Sequence, residues 1–396
     1  MVDSHNTEAA KGKLPVACNS LSANSTQSTA QEALDFLRQT CSACSAALQQ
    51  PLAASHQGPS STTLRRDFIS LLTLLYTSTT KLALTLRPGE PAHRAALEPL
   101  RDLAANISAL TTCSTLFACC GTTLASEARS FAKNVCEAVE VLAASFLEGG
   151  EDYLVRTGAV HDLIEKAKGD LSQDNCAAVR RRWVSDRGML EDTYGEVTAM
   201  ITDADAGGED PDRYDFDDDE LDELGLGSSK KMSVVELERT KKVQPLLRFT
   251  TLLHKRVQID ILSHRPVDLD SPDRSKGLDI LPDHSHALLL ASEELVAALY
   301  APQDPATLSS AIPPLVESVH KLRDTLLEGD LLPPAQDSDQ ALATAISVLT
   351  VGGGSSKAQG KKSTDVRKWF ETCFEQIDRV SKILYDDLRQ EDPGTI

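Results

Sequence analysis

Aromatic residues make up only 4% of this 396-residue sequence, and two of them are tryptophan. Sheets draw on aromatic and β-branched residues, so this shortage, set against 54 leucines, favours packed helices. Strict apolar–polar alternation is also missing; only ISVLTV at 346–351 reads as a strand when taken alone. Basic charge is scarce, with 40 Lys and Arg against 59 Asp and Glu for a net charge of −19. Direct nucleic-acid binding needs a basic surface and usually stacking aromatics, so no nucleic-acid partner is expected. No unbroken stretch of about 18 apolar residues is present, and MVDSHNTEAAKGKLPVACNS has no apolar core of signal-peptide length. No membrane insertion is expected. The nine cysteines are odd in number and scattered, which reads as reduced thiols in an intracellular compartment.

Signatures of chemistry are absent as well. There is no Gly-x-Ser-x-Gly elbow and no His-Glu-x-x-His. The stretch from Gly352 to Ser363 imitates a phosphate-binding loop. However, five residues rather than four separate Gly354 from Gly360, and Lys362 stands where the magnesium-binding hydroxyl belongs. Asp215, Asp217 and Asp219 imitate a calcium loop, but Glu220 and Leu226 occupy the positions that need glycine and glutamate. Cys41 and Cys44 lack a second pair at zinc spacing, and Cys119 and Cys120 are expected to point apart on a helix. His284 and His286 are two apart, not a helical ligand spacing, and are expected to flank a helix start. No catalytic residue, cofactor or metal is expected, and the chain does not read as an enzyme.

The residues that are present, 41% hydrophobic and 25% charged, describe a folded chain long enough for two or three domains. Residues 1–27 read as a disordered lead-in. Gln31 to Leu48 is Ala/Leu-rich. Phe68, Leu71, Leu75, Thr79, Leu82 and Leu86 then recur every three or four residues, as do Leu100, Leu103, Ile107, Leu110, Ser114 and Phe117. Phe131, Val135, Ala138, Leu142 and Phe146 form a further seam. Successive amphipathic helices of this length describe an antiparallel bundle. Helices follow at about 152–168 and 174–201, the second carrying Arg180, Arg181 and Arg182 beside Trp183.

Residues 203–223 contain twelve Asp or Glu and one Arg, or −11 of the total charge. Such a tract repels itself and buries little, so 203–232 reads as an acidic linker between a bundle at 28–202 and another at 233–390. The Arg180–Arg182 cluster is expected to pair with it. Ser233 and Glu236 have capping-box spacing. Pro245 is expected to kink or divide the helix that follows, whose seam is Leu246, Thr250, Leu253, Val257 and Ile261. Further helices are expected at 283–300, at 304–328 with a break near Pro313 and Pro314, and at 337–350. The last, 364–389, carries Phe370, Cys373, Ile377, Val380 and Leu384. The fold class is therefore all-α, two antiparallel up-and-down bundles of the talin and vinculin kind.

Three stretches carry a family likeness: VRTGAVHDLIEKAKGDLSQDN (155–175), LGLGSSKKMSVVELERTKKVQPLLR (224–248) and LDILPDHSHALLLASEELVAALYAPQD (278–304). In that order, with an acidic tract between the first two, the chain resembles fungal-type members of the cyclin-D-binding protein (GCIP) family. The resemblance implies an all-helical regulator of cell-cycle progression that binds cyclin-like or helix-loop-helix-type partners in nucleus and cytoplasm, without catalysis. A helical protein of this kind docks partners through helix faces. The candidates are Leu246, Leu253 and Val257 on one helix and Phe370, Phe374 and Ile377 on the last; the competing reading is that both faces are core. A cytoskeletal or membrane-peripheral scaffold is the alternative function.

Overall fold

The computed structural model describes residues 17–51, 58–149, 151–206, 232–263, 272–332 and 366–391. Among these there are ten α-helices and no strand. They fall into two compact units, Met1–Asp174 and Asn175–Ile396.

The first unit contains α1 (Ala17–Leu48), α2 (Ser61–Thr85), α3 (His93–Leu116), α4 (Thr122–Leu147) and α5 (Tyr153–Asp170). Neighbour to neighbour the order α1–α3–α2–α5–α4 closes into a ring, with α3 also touching α4. The α3 seam is buried throughout, and its end, Phe117, meets Phe68 of α2 edge-on at 5.9 Å. On α4 the buried stripe is turned toward Ala132, Val139 and Ala143, leaving Phe131 and Phe146 half-buried. Alanine on that stripe lets backbones approach closely. Ser60 caps α2 by accepting from the Thr63 N–H. The chain leaving α5 is tied down by Glu127, which accepts from the Ser172 N–H at 2.6 Å and its hydroxyl at 3.0 Å.

The second unit contains α6 (Asn175–Ala206), α7 (Val234–Arg256), α8 (Pro272–Ala297), α9 (Pro305–Glu328) and α10 (Val366–Glu391), and α7 runs on into a π-helical turn, Val257–Leu262. The ring here is α6–α7–α10–α9–α8. The capping box at α7 is formed as its spacing predicts: Glu236 N–H donates to Ser233 Oγ at 3.3 Å, and Ser233 N–H to Glu236 Oε2 at 2.7 Å. Asp304 caps α9, and Pro305 occupies its first position, where a missing N–H costs nothing.

Several expectations are corrected. Residues 175–206, assigned by charge to the N-terminal bundle, pack as α6 against α7 and α8 within the second unit. The charge change marks a connection between helices of that unit, and the division falls earlier, at 174/175. α8 starts at Pro272, which places His284 and His286 inside it. α7 continues through Pro245 and α9 through Pro313 and Pro314. In α9 both prolines face solvent while Ile312 and Leu315 are buried, so core packing holds the helix across the missing hydrogen bonds. α1 begins at Ala17, ahead of the expected start. Cys119 and Cys120 do not point apart. They occupy a 3-10 turn, Phe117–Cys120, whose tighter winding turns both thiols toward the Pro59 carbonyl, with 3.6 Å between sulfurs.

Two helical stretches, Ser61–Thr85 and His93–Cys120, are long and apolar enough to cross a membrane by length and composition. Ser and Thr interrupt their leucines, so neither contains an unbroken apolar run of that length. Their apolar stripes line the core of the first unit. Residues 1–16, the acidic linker from 207 to 231, the helix expected at 337–350 and the glycine-rich stretch 352–363 lie outside the described residues.

Candidate partner-binding site

The six residues selected as partner anchors share one place. Leu246, Leu253 and Val257 of α7 and its π-turn, and Phe370, Phe374 and Ile377 of α10, are all within the core of the second unit. Phe370 contacts Trp369 edge-on at 5.2 Å and Phe374 at 6.3 Å. These faces are core as packed, and they present no surface to a partner.

Next to them is a polar arrangement that no local spacing announced. Trp183 of α6 is fully buried, stacks on His254 of α7 at 4.3 Å, and donates its indole N–H to the His254 carbonyl at 3.0 Å. His254 Nε2 is 2.8 Å from Ser285 Oγ of α8, and Ser285 donates to Asp186 Oδ2 of α6 at 2.6 Å. Burial, with a smaller contribution from the Arg187 charge, lowers the His254 pKa to about 3, so the ring is neutral. Ser285 spends its proton on Asp186, which leaves its oxygen to accept from His254 Nε2–H. His254 Nδ1 then has no partner among the described residues.

Serine, histidine and aspartate together invite comparison with a hydrolase triad, but the connectivity is different. In a triad the histidine lies between serine and carboxylate and takes the serine proton. Here serine lies between histidine and carboxylate, and both His254 and Ser285 are closed off from solvent. The arrangement ties three helices together in a fixed register.

A second tie joins α7 to the segment before α9. Gln303 donates from its side-chain nitrogen to Thr240 Oγ1 at 2.9 Å and to the Leu299 carbonyl at 2.8 Å, and from its backbone to Glu236 Oε1 at 2.7 Å. Hydrogen bonds from the Ser233 and Gln303 backbones hold the Glu236 carboxyl below its ordinary pKa.

Exposed apolar side chains are scattered over both units. Val234 and Val235 stand out at the start of α7, and Leu252 and Ile259 share a face further along. In the first unit a groove of about 550 Å³ runs between α1 and α3 beside Phe36, Ala104 and Ser108. No group of three metal-ligating side chains occurs among the described residues. The thiols are predominantly of the inert kind: burial pushes Cys136 and Cys373 up to about 12 and Cys113 up to about 11.

Comparison with curated proteins gave no match. Comparison with protein families matched two successive parts of the chain: the N-terminal region of the Grap2 and cyclin-D-interacting family to residues 67–203, and its C-terminal region to residues 216–324. The junction between the two matches falls in the acidic tract. The N-terminal match therefore includes α6, which packs with the helices of the C-terminal match. Together the matches span well over half of the sequence, and the chain belongs to the Grap2 and cyclin-D-interacting family, a family of protein-interaction proteins.

Proposed function

We propose that this protein is a non-enzymatic regulator of cell-cycle progression that acts by binding cyclin-like or helix-loop-helix-type proteins, in nucleus and cytoplasm. The observation that carries the reading is the pair of family matches in consecutive order, since the family takes its name from interaction with Grap2 and cyclin D. The closed His254–Ser285–Asp186 arrangement supports it, because the residues with the most suggestive chemistry serve packing. The six core anchors then act from within: they hold the second unit in the shape whose outer faces meet the partner.

The test is direct binding of the purified full-length protein to a purified D-type cyclin and, separately, to a helix-loop-helix dimerisation domain, read by calorimetry. Saturable one-to-one heat with either supports the reading. If neither binds at tens of micromolar, while the protein shows its full helical signal, the cyclin and helix-loop-helix assignment fails.

A further inference from the structure

The long helices of the second unit sort their charges along their length. α6 and α7 are antiparallel, with Lys241 against Asp205 at 2.9 Å near one end and Trp183 against His254 toward the other. α7 and α10 are antiparallel too, from Lys242 against Asp387 at 2.9 Å to the Arg256 guanidinium over the Trp369 ring at 4.7 Å. Where α7 begins, its lysines are matched by these acids. Toward its far end the outer face reads Arg248, Leu252, Lys255 and Ile259, spacings of four, three and four that stack on one side of a helix. All four are exposed. Arg248 and Lys255 make no ion pair among the described residues, whereas nearby acids are engaged: Glu191 by Arg187 and Asp260 by Arg256. The result is a ridge of alternating apolar and cationic side chains on an acidic protein.

We propose that this ridge is the docking site of the chain's own acidic segment, residues 209–224. Three observations select that occupant over a separate chain. The segment supplies the complementary chemistry: ten Asp or Glu and one Arg in 209–224, interspersed with Tyr214, Phe216, Leu221 and Leu224. Its ends are fixed, since α6 stops at Ala206 and the chain is described again from Met232, both at the start of α7. Its length suits the span. Twenty-five residues going out and back reach about 40 Å at the midpoint, at roughly 3.3 Å per extended residue. At 1.5 Å per helical residue, Arg248 is about 22 Å and Lys255 about 33 Å from Ser233, both within range. Arg180 to Arg182 stand next to Trp183, at the level of His254 and Lys255, so they fall within a similar reach. What distinguishes the ridge is its alternation of cationic and apolar side chains, which matches the alternation of acids and apolar residues in the segment, and the midpoint of the connection, Asp217 to Glu220, is the part that meets Lys255. A tether of this length holds the segment at an effective concentration on the order of millimolar, which a separate acidic chain does not match.

Zero-length carbodiimide cross-linking of the full-length protein tests this, with peptides mapped by mass spectrometry on a mixture of light and heavy-isotope chains. The expected product joins Lys255 to a carboxylate between Asp215 and Glu223 of the same chain. Its yield should fall about tenfold in 1 M salt, where the screening length shrinks to about 3 Å. In parallel, trypsin should cut after Arg213 several-fold faster in Arg248→Glu/Lys255→Glu. Arg248→Gln/Lys255→Gln should behave likewise with a milder change at the surface, and an unchanged far-UV helical signal shows that either variant folds. The proposal is overturned if Lys255 gives no link to the segment, if in an equal mixture about half of the links join a light to a heavy chain, or if Arg213 is cut at the same rate in the well-folded variants.

Discussion

Both units close a ring of five helices among the described residues, yet polar groups enter their cores in different ways. In the first unit the buried hydroxyls of Ser114 and Thr157 turn back on their own helices, to the Thr111 and Tyr153 carbonyls at 2.7 Å each, and the buried polar contacts between elements are few, among them Thr111 beside Cys136 at 4.0 Å and Ser172 to Glu127 at 3.0 Å. Packing between its helices rests mainly on leucine, alanine and cysteine, with Phe68 against Phe117. In the second unit buried polar groups bond between elements: Trp183 to His254, His254 to Ser285, Ser285 to Asp186, and Gln303 to Thr240. A core joined by shape tolerates sliding at modest cost. A core joined by polar pairs leaves a donor or acceptor stranded when register slips, at about 1–3 kcal/mol each. The second unit should therefore be the more specifically locked of the two and the more sensitive to pH.

The largest expected effect comes from cutting the chain at the wrong place. A fragment ending at 206 carries α6 without its partners and exposes Val179, Trp183, Leu190 and Val197, so it should aggregate or lose helix. Fragments 1–174 and 175–396 should each be soluble and unfold cooperatively. Size-exclusion chromatography with circular dichroism decides it. If 207–396 folds as well as 175–396, α6 is not part of the second unit.

Next in size is Trp183→Ala, which removes the largest fully buried side chain and the indole bond to His254. A loss of about 3–5 kcal/mol is expected in the second unit alone. The protein's two tryptophans, Trp183 and Trp369, both belong to that unit, so in the wild type indole fluorescence follows it while circular dichroism follows both. In the variant Trp369 remains as the reporter. The matching change in the first unit, Phe68→Ala, should leave the fluorescence transition where it was.

Acid is the gentler way to separate the units. His254 titrates near 3 when folded and near 6.5 when unfolded, so the unfolded chain binds more protons between those values. Stability of the second unit is then full above about pH 6.5 and lost progressively as pH falls toward 3, by about 2 kcal/mol between pH 7 and 5. Burial lowers His284 in the same unit, which adds to the effect. Urea midpoints followed by tryptophan fluorescence at pH 7 and 5 measure the loss. His254→Gln, which still offers Ser285 a donor without titrating, should flatten most of the slope.

These differences mark where sequence reading succeeds. Helices with a heptad-like seam were legible because burial on one face repeats every three or four residues; the α3 seam is buried at each predicted position. The unit boundary was not legible, because the acidic tract reports only that 203–223 cannot be buried and says nothing of which core Trp183 enters. Its partner His254 is 71 residues away, and no local pattern links them. Proline misleads for the same reason: the cost of Pro313 is local, but the burial of Ile312 and Leu315 that outweighs it is tertiary. Leu246 and Phe370, selected as partner anchors, are core as packed, because periodicity alone does not tell a face that meets its own bundle from one that meets a partner.

The smallest expected effect probes the capping tie. Glu236 accepts from the Ser233 and Gln303 backbones, so Glu236→Ala removes both the capping box and the hold on the turn before α9. Loss of a cap typically costs about 1 kcal/mol. The direction of the Glu236 pKa adds a pH signature: held below its ordinary value when folded, the carboxylate contributes stability above the usual carboxylate range and loses it as pH falls through that range. Hydrogen exchange makes the change local, with faster exchange at the Gln303 amide and the first turn of α7 in the variant. The equivalent probe in the first unit is Ser60→Ala at the start of α2, where the cap touches only its own helix. Exchange there should quicken in the first turn of α2 and nowhere beyond it. If Glu236→Ala likewise leaves Gln303 protected, the polar tie between α7 and the approach to α9 contributes nothing, and the contrast between the two cores reduces to the Trp183–His254–Ser285–Asp186 chain alone.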